Sequence, residues 1–387
     1  MYNYVVVGAG FAGAVIAERI ATQLNEKVLV IEKRSHIGGN AYDYYDENGI
    51  LVHKYGPHIF HTRSKEVWNY LSQFTDWYLY HHHVLGSIDG KKVPIPFNLN
   101  TLYELLPESL AKPLEEKLVN KFGYNVKVPI LKLRETDDRD LKFLADFVYE
   151  KVFLNYTTKQ WGMKPEELDP TVTGRVPIYI SRDNRYFQDA YQGMPKEGYT
   201  KIFEKLLSHS NIKLMLNTDY KEVIQFDLDN GNLSLFGQHF KGTLIYTGKI
   251  DEFFNYKFGE LPYRSLRFEF ENIQKEFVQT VGTFNYPNEY QFTRITEFKH
   301  LTGQKHQSTT IVKEYPQAYE RSVKGKDIPY YPVPRKENLE LYARYKERAK
   351  RFPNVLFVGR LAEYRYYDMD AVIARALKVF KDKFSTQ

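Results

Sequence analysis

The first forty residues constrain this chain more than any other stretch. Residues 4–7 form a short apolar run rich in β-branched side chains and read as a buried strand. Gly8, Gly10 and Gly13 follow in the spacing G-x-G-x-x-G. Residues 11–24, starting at Phe11, read as a helix with Val15, Ile16 and Ile20 on one face, and residues 27–31 read as a second buried strand ending at Glu32. The first glycine permits a tight turn, and the second lets the backbone approach a pyrophosphate. The third lets the helix pack close to the strand, while the helix N-terminus attracts the anion. Glu32 stands where a carboxylate accepts hydrogen bonds from an adenosine ribose. Strand, glycines, helix, strand and acid, in that order, predict a dinucleotide site rather than a ligand-free glycine turn.

After Glu32 come Lys33, Arg34, Ser35, His36 and Ile37, then Gly38, Gly39 and Asn40. An acid, a short basic loop and a glycine pair resemble flavoproteins with two dinucleotide-binding motifs. That resemblance implies FAD rather than NAD, with Arg34 near the adenine-side phosphates and the glycine pair where the backbone passes the cofactor.

The bulk of the chain limits the alternatives. Its 387 residues suffice for two or three domains, and 43% hydrophobic with 26% charged residues is ordinary for a globular protein. The net charge of +6 is mild and scattered, so no nucleic-acid partner is expected, whereas an anionic substrate suits it. With no cysteine, disulfides, thiolate zinc sites and a cysteine nucleophile are excluded. No apolar run nears the ~18 residues of a membrane span, and the N-terminus runs straight into a strand without a signal peptide. A cytoplasmic protein is expected. The 32 tyrosines suit a polar ligand with flat rings.

Along the chain, Ser64 to Phe74 reads as a helix, and Asp89-Gly90 marks a hairpin. Leu102, Leu105, Leu106, Leu110, Leu114 and Leu118 predict one helix stopped by Gly123, and Leu141 to Val152 another. Residues 169–183 read as a mobile loop around Gly174-Arg175. Residues 212–216, 243–246 and 355–358 are short apolar runs that return the chain to a parallel sheet. Alternation from 263 to 315, with Phe298 among its apolar positions, predicts an antiparallel sheet with one wet face. The expected fold is α/β: a discontinuous FAD-binding Rossmann-like domain (1–78, 197–250 and 350–387), a helical insertion (98–196) and an antiparallel β-sheet domain (79–97 and 251–349).

Residues 4–13, 28–42, 54–62, 159–162, 191–193, 313–316 and 359–364 together resemble bacterial UDP-galactopyranose mutases, in order and from end to end. The resemblance implies interconversion of UDP-galactopyranose and UDP-galactofuranose without net redox, the N5 of reduced FAD attacking the anomeric carbon while UDP leaves. Departing UDP concentrates charge on a diphosphate, which preorganised cations should face. Arg175 and Arg294 match the family's diphosphate arginines, and Tyr331 and Tyr366 its diphosphate tyrosines. Tyr156 and Tyr186 match its uridine positions, and Trp161 borders the sugar. His82 falls where some relatives have asparagine on the sugar hydroxyls, and Asn285 and Asp368 complete the expected substrate contacts. His58, Ile59 and His61 are expected beside the isoalloxazine, with His61 near its reactive edge, and Arg360 and Met369 also on the cofactor. The helix starting near Asp368 offers its positive end to an anionic reduced flavin. His58 and His61 also have an i, i+3 spacing, but no third ligand candidate accompanies them, so no metal is expected. UDP-galactose, a reductant such as NAD(P)H and a second copy of the chain are the expected partners. A redox flavoenzyme of the amine-oxidase type, a non-catalytic nucleotide-sugar binder and a mutase that also takes UDP-N-acetylgalactosamine stay open.

Overall fold

A computed structural model describes residues 2–169 and 177–384. The apolar runs assemble into a five-stranded parallel sheet in the order Ile212–Met215, Val28–Ile31, Tyr4–Val7, Thr243–Tyr246, Val355–Phe357. The two central strands are apolar throughout because helices cover one face and a second apolar layer the other. On one face the helix Phe11–Gln23 packs against the helices Met369–Phe384 and Tyr199–Leu206. The strand order reverses about Tyr4–Val7, which opens a crevice at the carboxyl ends of these strands.

A seven-stranded sheet stands beside it, in the order Tyr331–Pro332, Tyr263–Ile273, Thr309–Ala318, Arg294–Glu297, Thr283–Asn285, Val84–Ile88, Lys91–Ile95. The expected antiparallel sheet is in fact mixed, because Thr283–Asn285 runs parallel to Val84–Ile88. These two strands come from distant parts of the chain, so no hairpin fixes their direction. The Asp89-Gly90 hairpin does form, with φ of 49° and 79° as a type I′ turn requires. Phe298 departs from the strand pattern. It begins the short helix Phe298–Thr302 and is fully buried in the main core.

The helical layer packs on the strands Val84–Ile88 and Lys91–Ile95 around one core, to which it gives Leu102, Leu114, Leu118, Leu141, Leu144 and Val148. The single helix expected to end at Gly123 is two, Leu99–Leu105 and Glu108–Phe122. Leu106 precedes Pro107, whose ring disfavours helical backbone there, and Leu106 is extended at φ −113°, ψ 149°. Gly123 ends the second helix at φ +88°. The predicted loop 169–183 is also shorter than expected. Pro177–Ile180 is a strand paired with Val126–Pro129, and Gly174-Arg175 lies outside the described residues. Tyr191–Pro195 pairs with Phe60–Thr62 and Trp77–Tyr78.

Candidate active site

Two cavities meet in this frame. The first lies at the carboxyl ends of the parallel strands. Gly8, Gly10, Phe11, Gly38 and Gly39 supply its backbone wall, and Glu32, Lys33, Arg34 and Asn40 its polar edge. Gly8 sits at φ +103°, and a Cβ there would stand 2.1 Å from the Thr247 hydroxyl oxygen. That hydroxyl is committed to the Val7 carbonyl at 2.7 Å, so it cannot simply yield. Gly39, at φ +56°, brings its backbone against Gly10, where a Cβ would meet the Gly10 Cα at 2.9 Å. Gly13 lines neither this cavity nor the second. A Cβ on it would stand 2.0 Å from the Gly8 carbonyl oxygen, so its part is the close approach of helix to strand.

The fit to a dinucleotide rests on orphaned donors. No side chain caps the helix Phe11–Gln23, which leaves its first N–H groups for an anion. Glu32 accepts from the backbone N–H groups of Ala9 and Arg34, both at 2.9 Å, which fixes the acid at the strand end. Arg34 stacks over Tyr55 and donates one terminal nitrogen to Asn40 at 3.0 Å. Its Nη1 is buried without a partner among the described residues, as a guanidinium awaiting an anionic group would be. Thr218, Asp219, Tyr220, Thr247 and Lys249 complete this cavity and were missed in the sequence. Their signal was positional: they follow strands of a parallel sheet, where ligands bind.

The second cavity lies between the seven-stranded sheet and the helical layer. His61, His82, Tyr156, Trp161, Tyr186, Asn285, Arg294, Tyr331, Tyr366 and Asp368 all line it, as does Ile59. Arg175, outside the described residues, has no place assigned. His58, Tyr330, Arg360 and Met369 line both cavities and form the wall they share. A widely wound turn, Tyr149–Leu154, joins the helix Arg139–Val148 to Asn155–Trp161. Arg264 holds the end of this helix through the Gln160 carbonyl at 2.9 Å, and Lys159 reaches the carbonyls of Tyr286 and Tyr290 at 2.6 and 2.8 Å.

Arg294 lines this cavity as a cation, together with Lys127 and Arg360. Glu314, itself 2% exposed, accepts from the Nε and Nη2 of Arg294 at 3.1 and 2.9 Å. Such a bidentate pair fixes the guanidinium plane while the rest of the group faces the cavity. Glu314 was not singled out, although it sits in a quoted motif. Tyr331 and Tyr366 stack 5.3 Å apart at 11°, with Trp161 6.2 Å from each. Arg360 lies over both tyrosine rings and donates to the carbonyls of Tyr330 and Tyr367, so one guanidinium ties these two loops together. Burial raises the pKa of Tyr156 and Tyr331, which keeps their hydroxyls protonated.

The histidines differ in kind. Burial lowers His58 and His82 to about 3, so both are neutral near pH 7. The Tyr80 hydroxyl, kept protonated by burial, shares a hydrogen bond with His82 Nδ1 at 3.0 Å. Asn285 Oδ1 is buried without a hydrogen-bond partner among the described residues. His61 pairs with Asp189, a residue the sequence reading passed over. His58 instead contacts the Gly56 carbonyl, so the i, i+3 pair serves separate partners.

Residues 151–366 match the profile of UDP-galactopyranose mutase, and residues 6–74 that of an NAD(P)-binding Rossmann-like domain. The chain belongs to the UDP-galactopyranose mutase family. It is 36% identical to a UDP-galactopyranose mutase of Mycoplasma pneumoniae, covering 97% of this chain and 94% of that protein. It is equally, 36%, identical to a dTDP-fucopyranose mutase of Escherichia coli, covering 98% and 97%. A crystal structure of reduced UDP-galactopyranose mutase superposes with a TM-score of 0.73 at 16% identity, covering all of this chain and 94% of that one. Among the described residues no helix is long and apolar enough to cross a membrane.

Proposed function

We propose that the chain interconverts UDP-galactopyranose and UDP-galactofuranose with FAD in the first cavity and the nucleotide sugar in the second. One observation carries this reading: a cavity holding Arg294 and two stacked tyrosines shares a wall with the glycine-bounded cavity at the strand ends. When bound and reduced, FAD supplies a nucleophilic nitrogen for the anomeric carbon. The protein's own part is to bind, orient and neutralise. Arg294, fixed by Glu314, faces the charge that gathers on the diphosphate as UDP departs, and Tyr331 and Tyr366 donate to it. Arg175 is assigned to the same diphosphate on its match to the family. Tyr156 and Tyr186 take the uridine. Trp161, His82, Asn285 and Asp368 take the sugar side, and His61 stands at the reacting edge. Met369, in the shared wall, begins the helix Met369–Phe384, whose positive end favours an anionic reduced flavin. A cellular reductant such as NAD(P)H, a homodimer and a cytoplasmic location belong to the same reading.

The equal identity to a dTDP-fucopyranose mutase favours a second reading, in which the sugar nucleotide is a dTDP-6-deoxyhexose. Dithionite-reduced protein is incubated separately with UDP-galactose, UDP-N-acetylgalactosamine and dTDP-fucose, and the products are resolved by chromatography. Furanose formed from UDP-galactose, and only by reduced protein, is the expected result. Conversion of dTDP-fucose alone selects the second reading. No isomer from any substrate, with net electron transfer to oxygen, overturns both in favour of a redox flavoenzyme.

A further inference from the structure

His61 lies on the strand Phe60–Thr62, opposite Gln192 of Tyr191–Pro195. Its ring stacks on Phe187, 3.6 Å between centroids and 16° between planes. Its Nδ1 stands 2.5 Å from Asp189 Oδ2, and the other oxygen of Asp189 accepts from Arg63 Nε at 2.7 Å. Gln192 grips the same turn, donating to the carbonyls of Phe187 and Asp189. Ring and carboxylate are thus clamped from three sides. The hydrogen bond from His61, ahead of that from Arg63, holds Asp189 down at about 2, so it is a carboxylate near neutrality. A carboxylate only accepts, so the hydrogen of the pair sits on His61 Nδ1. In the neutral ring Nε2 then has a lone pair, and Nε2 has no protein partner among the described residues in a ring that lines the substrate cavity.

The proposed reaction needs such a group. Ring contraction exchanges the C1–O5 bond of the sugar for a C1–O4 bond. O4 loses one proton and O5 gains one, with no net change in charge or oxidation state. We infer that Asp189 is a positioning residue that holds His61 as the Nδ1–H tautomer, so that Nε2 takes the proton lost by O4 and returns one to O5. The inference rests on the mutase reading for its substrate, but the tautomer it requires can be measured without turnover. His82 lines the same cavity, but its Nδ1 meets the Tyr80 hydroxyl, which both donates and accepts and so does not impose a tautomer as the Asp189 carboxylate does.

The test uses holoenzyme labelled with ¹⁵N-histidine, with the His61 signals assigned by their loss in His61→Gln. The wild type should show Nδ1 protonated and Nε2 bare. In Asp189→Asn the amide can donate to Nδ1, which should reverse the tautomer. That variant should keep its flavin and, with KM changed less than about threefold, lose about 100-fold or more in kcat. Asp189→Glu should restore the wild-type tautomer and part of the rate. A wild-type His61 protonated only on Nε2 overturns the inference, whatever the activity. So does an Asp189→Asn enzyme with wild-type kcat. Wild-type protein that shows the expected tautomer but no mutase turnover overturns the proposed function instead.

Discussion

The two cavities are built from different parts of the polypeptide. The first cavity has a backbone wall of glycines at positive φ, bare helix N–H groups and strand ends, part of it within residues 8–40 and the rest from strand ends and loops farther along the chain. The substrate cavity is side chain throughout. Arg294, Asn285 and Tyr331 come from the mixed sheet, Tyr156 and Trp161 from one helix, His61 from the strand Phe60–Thr62, and Tyr366 from a loop. Backbone walls tolerate no added atom, whereas side-chain walls tolerate exchange at the cost of one interaction. A family built this way can keep its cofactor and vary its sugar, in line with relatives that act on different nucleotide hexoses.

Substitutions can break this division. The largest effect is expected at Gly8. Gly8→Ala would place Cβ against a committed threonine hydroxyl at a positive φ, and the purified protein should carry no flavin by absorbance. Retention of full flavin would mean that the backbone wall yields. Next comes Arg294→Ala, which removes the cation proposed to face the diphosphate and leaves Glu314 buried without it. Turnover should drop about 10²–10³-fold, stability about 3 kcal/mol by urea titration, and flavin content should hold. Loss of flavin together with turnover would show that the cavities are not separable.

Arg360 belongs to the shared wall, so it sharpens the comparison from the other side. Arg360→Lys keeps the charge but not the fork that reaches Tyr330 and Tyr367. Flavin retention and substrate KM should both worsen, each by about tenfold, in dialysis and steady-state assays. Tyr331→Phe removes one hydroxyl and keeps the stack on Tyr366. Its KM should rise less than tenfold, from about 1 kcal/mol of lost hydrogen bonding, with flavin unaffected.

The smallest effect concerns acid. Asp189 has its pKa depressed to about 2 in the folded protein, against 3.8 ordinarily. Its contribution to stability is therefore present above the ordinary carboxylate range and lost as pH falls toward 2. In urea titrations the gap between wild type and Asp189→Asn should be widest near about pH 5 and shrink on acidification. A constant gap would place the stabilisation elsewhere.

Much of the site was legible because its residue types carry their own meaning. The glycine spacing with Glu32 and Arg34 located the dinucleotide cavity, and its other half followed from strands whose ends were read as apolar runs without asking what succeeds them. Asp189 carried no signal. An aspartate after Phe187-Gln188 is ordinary, and only the pairing of Tyr191–Pro195 with Phe60–Thr62 brings it to His61. Glu314 likewise acquires a role only through its register opposite Arg294.

The sequence by itself determined the parallel sheet, the glycine-bounded dinucleotide site and the family, because these rest on local periodicity, backbone freedom and contiguous motifs. Only the tertiary structure decided that one strand pair of the second sheet is parallel, that Arg294 is locked by Glu314, and that Arg360 ties together the carbonyls of Tyr330 and Tyr367. Those features depend on pairings between residues far apart in the chain. Close packing and the need to satisfy buried polar groups fix such pairings, and neither is written in any one stretch of residues.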